Sequence, residues 1–93
     1  MWVVYILRCS DTTLYTGITK DIKRRVHEHN HTKKGAKYTQ TRRPCELVYE
    51  EFAESHGEAL RREKEIKKMR KKEKEDLIFQ KGVQNEILSK NGE

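Results

Sequence analysis

The chain has 93 residues, 39% of them charged and 33% hydrophobic, with a net charge of +6 and a pI of about 9.4. A length this short supports one domain with a modest core, and no stretch approaches the ~20 apolar residues of a membrane span. Two cysteines, Cys9 and Cys45, without CxxC spacing exclude a disulfide framework and a zinc ribbon, and the basic balance favours a polyanion such as nucleic acid.

Trp2–Arg8 (WVVYILR) is a continuous β-branched and aromatic run, too short for a helix, and reads as a strand buried on both faces. Cys9–Thr13 is a polar turn, and Leu14–Gly17 reads as the returning strand of a tight antiparallel hairpin. Gly17 marks a place where backbone freedom or close approach is needed. Thr19 is the expected N-cap of a helix from Lys20 to about Asn30, with Asp21 in its first turn to suit the helix dipole. Ile22 and Val26 share one face of it; Arg25 and His29 each stand three residues after one of them and border the same inward stripe. Lys23, Arg24, His27 and Glu28 are expected to point outward.

His31–Pro44 reads as a long basic loop, of the kind that is functional or mobile. From Lys20 to Arg43 nine Lys/Arg face two acids, a net of +7, whereas Glu54–Glu93 carries eleven basic and nine acidic residues, a net of +2. The basic surface is therefore local. Glu46–Phe52 gives a third strand, with Leu47 or Val48, Tyr49 and Phe52 facing the core. Ser55 with Glu58 three residues on has the capping-box pattern for a helix from His56 to about Lys71, with Ala59, Ile66 and Met69 as its apolar face. Glu63 falls on that apolar face. Glu73–Phe79 reads as a last helix supplying Leu77, Ile78 and Phe79 to the core, ended by Gly82. Residues 1–80 make the domain, and 81–93 are expected to be a flexible tail.

Five side chains can do chemistry together. An arginine beside two phenols supplies bidentate donors for a phosphate and stabilises charge that grows during phosphoryl transfer. A tyrosine near a cation or metal can take a proton from water. A single semi-buried glutamate can hold one Mg²⁺ whose other ligands are mostly water. Tyr5, Tyr15, Arg25, His29 and Glu63 are these parts. Each also has a plainer use: strand packing for the tyrosines, a snorkelling surface position for Arg25, and helix ion pairs with Arg62 or Lys67 for Glu63. His27 and His31 are one helical turn apart but lack a third metal ligand. Composition and spacing alone support a basic, nucleic-acid-binding α/β domain.

Those residues also form an ordered set. Val3-Val4-Tyr5, Tyr15-Thr16-Gly17, Arg25 with His29 four residues later, and Glu63 within EALRREKEIKK resemble the GIY-YIG nuclease superfamily, specifically its small stand-alone bacterial members. Valine stands where the name-giving glycine would be. The Gly35–Thr39 run and the Arg43-Pro44 pair look like the same subgroup, and the resemblance covers roughly residues 2–80. It implies an α+β fold, a three-stranded antiparallel sheet flanked by helices in β-β-α-β-α-α order. It further implies Mg²⁺-dependent (or Mn²⁺-dependent) cutting of one DNA strand. In that scheme Tyr5 helps activate water, Tyr15 supports the site, Arg25 stabilises the phosphate, His29 orients or exchanges protons, and Glu63 binds one weakly held metal ion. A late polar residue of many family members, often asparagine, has no match around Leu77–Gln80.

The resulting expectation is a metal-dependent DNA endonuclease or nicking domain of low sequence specificity, acting on branched, nicked or single-stranded DNA. Lys23, Arg24, Lys33, Lys34, Lys37, Arg42 and Arg43 would hold the nucleic acid. A non-catalytic nucleic-acid-binding module of the same fold is the alternative, and an adaptor docking on an acidic protein is a third reading. A monomeric cytoplasmic protein without a membrane anchor is expected.

Overall fold

The computed structural model describes residues 1–82. Three strands, β1 (Trp2–Arg8), β2 (Leu14–Thr19) and β3 (Glu46–Ala53), form one antiparallel sheet in the order β2-β1-β3. The helices are α1 (Ile22–His31), a single turn α2 (Lys37–Gln40), α3 (His56–Lys68) and α4 (Lys71–Lys81). The expected β-β-α-β-α-α order holds, with α2 added inside the segment read as a loop.

β1 is the central strand, and Val3–Leu7 are all buried, as a run apolar on both faces requires. Strand alternation sends Val4 and Ile6 to one side, where they pack with Val48, Tyr49 and Ala53 of β3, Ala59 and Ile66 of α3 and Ile78 of α4. Val3, Tyr5 and Leu7 go to the other side with Cys9 and Cys45, covered by Ile22 and Val26 of α1. The two thiols lie 3.5 Å apart, buried and free. Burial, and then the neighbouring Cys9, push the Cys45 thiol up to about 12, so it stays protonated at neutral pH.

Local signals set most boundaries. Asp11 Oδ1 accepts from the Thr13 amide and hydroxyl, closing the hairpin turn while Thr12 sits at φ 69°. The N-cap of α1 is Asp21 and not Thr19: Thr19 is still in β2, opposite Val3, and Asp21 Oδ1 accepts from the Arg24 amide at 3.1 Å. Ser55 Oγ accepts from the Glu58 amide at 3.1 Å, and Glu58 reaches back to the amide of Glu54. The helix that follows ends at Lys68, with Met69 as C-cap.

Two expected core residues lie outside. Between the Ile6–Tyr49 and Leu7–Leu47 pairs, β3 carries one extra residue, Val48. Beyond the bulge, strand alternation keeps Tyr49 and Ala53 on the α3 side, so Phe52, three residues after Tyr49, falls opposite Val3 on the other, where it is 67% exposed. In α4, three consecutive apolar residues cannot all face inward at 100° per residue. Ile78 is buried, Leu77 is partly covered, and Phe79 is exposed. Lys81 and Gly82 close α4, and the remainder of the expected tail lies outside the described residues. Among the described residues no helix is long and apolar enough to cross a membrane.

Candidate active site

The site is built across β1, β2 and α1. Tyr5 stands opposite Gly17 in the β1–β2 ladder. A Cβ at Gly17 would lie 2.6 Å from the Tyr5 hydroxyl oxygen, so only glycine lets the phenol lie across β2 there. The phenol meets His29 Nε2 at 2.8 Å. His29 is fully buried, held there because α1 turns its Val26–His29 edge toward the sheet. Its other nitrogen, Nδ1, meets Thr39 Oγ1 at 2.8 Å, and the Thr39 hydroxyl donates to the Ala36 carbonyl, also at 2.8 Å. That last bond orders the whole chain of contacts. With its only proton given to Ala36, Thr39 must accept from His29 Nδ1–H. Nε2 is then unprotonated and accepts from the Tyr5 hydroxyl.

Protonation states follow. Desolvation raises the Tyr5 pKa to about 12, against the Arg25 guanidinium, which pulls it down by hydrogen bonding and charge; Tyr15 and Glu63 raise it further. Burial, reinforced by the positive charge of Arg25, lowers His29 to about 4. At neutral pH the pair is a neutral phenol donating to a neutral imidazole. For Arg25, burial opposes the charge, but hydrogen bonds to Glu28 and Tyr5 outweigh it and keep the guanidinium ionised. Arg25 Nη1 donates to Glu28 Oε1 and to the Lys34 carbonyl, each at 2.9 Å. Glu28, expected on the outer face, is drawn down into these contacts and is only 15% exposed.

Tyr15 packs its ring 5.1 Å from His29 and 6.4 Å from Tyr5, and Tyr38 stacks on it at 5.9 Å. The Arg42 guanidinium covers Tyr38 at 3.9 Å and pairs with Asp11 at 2.9 Å. Glu63 stands on α3. Its carboxylate is 17% exposed, pairs with Lys67 at 3.2 Å and is felt electrostatically at the Tyr5 phenol. Among the described residues no three His, Cys, Asp or Glu side chains could share one ion. A cation at Glu63 would take its remaining ligands from water and phosphate oxygens, which fits Mg²⁺ or Mn²⁺ rather than the four-ligand chemistry of zinc.

The structure thus brings Tyr5, Tyr15, Arg25 and His29 together around Gly17, with Glu63 at their margin. Of the side chains expected to hold nucleic acid, Lys23, Arg24, Lys33, Lys34 and Lys37 are exposed. Arg43 is not part of that surface. Its Nε donates to the His29 carbonyl at 2.6 Å, and its Nη2 donates to the carbonyls of Glu28 and Thr32, so it caps the C-terminus of α1. Sequence reasoning gave Thr39 and Tyr38 no role. Their only signal was the Gly35–Thr39 run, and its meaning is spatial: a Cβ at Gly35 would lie 2.7 Å from the Glu28 carbonyl oxygen, so glycine lets this segment press against α1 and deliver Thr39 to His29.

The family model for the GIY-YIG catalytic domain matches residues 1–76. The chain is 56% identical over 77 residues to a UPF0213 protein of Syntrophus aciditrophicus, covering 83% of this chain and 88% of that protein. It is 53% identical over 75 residues to a UPF0213 protein of Staphylococcus aureus, covering 81% and 90%. The solution NMR structure of the UPF0213 protein BH0048 from Bacillus halodurans matches with a TM-score of 0.58 at 44% identity, over 88% of this chain and 87% of that one. Since the family model spans most of the chain, this protein belongs to the GIY-YIG family.

Proposed function

We propose that this protein is a metal-dependent DNA endonuclease of low sequence specificity that hydrolyses a phosphodiester bond at the Tyr5–His29–Arg25 cluster. The observation carrying the reading is the directional Tyr5–His29–Thr39 chain lying beside an ionised, inward-turned arginine. Tyr5 is too weak an acid to stand as a phenolate, so it acts as a relay. It takes the proton of the attacking water at its oxygen while its own proton passes to His29 Nε2. Arg25 holds the phosphate and meets the charge that grows on it in the transition state. A phosphate anion on Arg25 also offsets the positive charge that depresses His29, making Nε2 a better acceptor when substrate is bound. Tyr15 fixes the ring edges of both partners. Glu63 would hold the Mg²⁺, which would supply Lewis-acid chemistry to the phosphodiester when bound.

The test is a cleavage assay over branched, nicked and single-stranded DNA, with and without Mg²⁺ or Mn²⁺. Metal-dependent cutting that Arg25→Ala and Glu63→Ala both abolish is the expected result. No cutting of any of these substrates overturns the reading. The Glu63–Lys67 pair favours a second reading, a non-catalytic nucleic-acid-binding module in which that carboxylate serves only the helix. It requires binding that is sensitive to Arg25→Ala and indifferent to metal, with no Mg²⁺-dependent NMR shift at Glu63.

A further inference from the structure

A cleft of about 330 Å³ lies between the end of β2 and α1, with Arg25 and Glu28 among the residues that line it. Its other walls include Trp2, Ile18, Lys20, Asp21 and Arg24. This volume is at the lower end of the ~300–1,000 Å³ typical of small-molecule sites, room for a single nucleotide. Trp2 is half-buried in the wall. His56, from the start of α3, stacks on the indole at 4.4 Å with 18° between the planes. The Lys20 ammonium stands 5.5 Å from the centre of the same indole ring. Lys20 is exposed, and among the described residues it forms no ion pair with a carboxylate. The acids nearby are already engaged: Asp21 accepts from the Arg24 amide, and Glu28 is held by Arg25 at 2.9 Å and pairs with the exposed Arg24 at 3.6 Å.

We infer that this cleft binds one unpaired nucleotide next to the reacting phosphodiester, its base stacked on Trp2 and its phosphate on Lys20 and Arg24. The inference rests on the nuclease reading and adds a substrate class to it: DNA with single-stranded character beside the cut. An indole braced by one ring and covered by an exposed cation, unpaired among the described residues, is a stacking platform with a removable lid. The ammonium leaves the ring for the phosphate as the base takes its place, so one side chain exchanges a cation–π contact for an ion pair. A paired base keeps its faces within its own stack and cannot reach the indole. The platform therefore discriminates by strandedness and not by sequence, because every base has a π-face.

Trp2 is the single tryptophan of the chain, so its fluorescence reports the platform directly. The experiment titrates the full chain at low salt with a labelled short oligothymidylate, an abasic strand of equal length and a duplex. Anisotropy reads binding, and tryptophan emission reads stacking. The oligothymidylate is expected to quench Trp2, and the abasic strand and duplex to bind without doing so. Lys20→Ala keeps the quenching and lowers the salt slope of binding by about one. Trp2→Leu reduces the preference for single strand over duplex by ~10-fold or more. Should Trp2→Leu fail to fold, the titrations of the wild type and Lys20→Ala still decide. Binding with unchanged emission, or equal quenching by the abasic strand in Lys20→Ala, overturns the inference and leaves the nuclease reading standing. Absence of binding at low salt overturns both.

Discussion

At Thr39 one hydroxyl proton sets the state of a ring on another helix. Because that proton goes to Ala36, His29 carries its own on Nδ1 and offers Nε2 to Tyr5. Thr39→Val removes the acceptor and leaves a buried donor unpaired, at a cost of about 1–3 kcal/mol, so Nδ1–H is no longer favoured. The expected outcome is a changed His29 tautomer in ¹⁵N-detected NMR and a loss of cleavage, both restored by Thr39→Ser; a wild-type ring pattern in Thr39→Val would count against the role. His29 also makes stability depend on pH. Its pKa falls from 6.5 to about 4 on folding, so within that window the unfolded chain binds the proton first. The contribution is complete above 6.5 and is lost as pH falls toward about 4, amounting to roughly 3 kcal/mol in all. Urea midpoints measured from about pH 7 down to about pH 5 should decline; a flat series would refute a neutral buried imidazole.

Among the elements, α1 shows how a helix end is completed from a distance. Its last carbonyls, at Glu28 and His29, receive the Arg43 guanidinium, and its C-cap is Thr32. Arg43→Ala should therefore destabilise the fold by about 2 kcal/mol, read as a lowered urea midpoint at constant m. It should leave the salt slope of nucleic-acid binding unchanged. Lys34→Ala should do the reverse, keeping the midpoint and lowering the slope by about one. The contrast separates two cations that the sequence presents alike. A basic residue in a loop has the same composition whether it faces solvent or a helix end, and the choice depends on where Gly35 lets the loop lie. In α3, Ser55 and Glu58 were legible because capping is local: both partners lie within four residues of each other.

For the whole molecule, the ordered Tyr5, Tyr15, Arg25, His29 and Glu63 pattern led from sequence to the family, and the family model covers residues 1–76. The order of the elements was equally legible. It follows from period-2 and period-3.6 patterning and from caps, all of which act over a few residues. The faces were less so. Phe52 and Phe79 stand outside the core because strand residues an odd number apart, such as Tyr49 and Phe52, face opposite sides of a sheet, and adjacent helical residues cannot all turn inward. The sequence by itself determined the three strands, the helices α1, α3 and α4, the local excess of positive charge and the identity of the candidate reactive groups, since each depends on neighbouring residues or on composition. Only the tertiary structure decided that Thr39 orders the His29–Tyr5 pair, that Arg43 serves α1, and that Trp2, Lys20 and Arg25 share one cleft. The first two of those assignments depend on approaches between residues from 10 to 24 positions apart, with Gly17 and Gly35 making two of these approaches sterically possible. Hydrogen-bond direction and desolvation follow from that packing, and no local pattern encodes them.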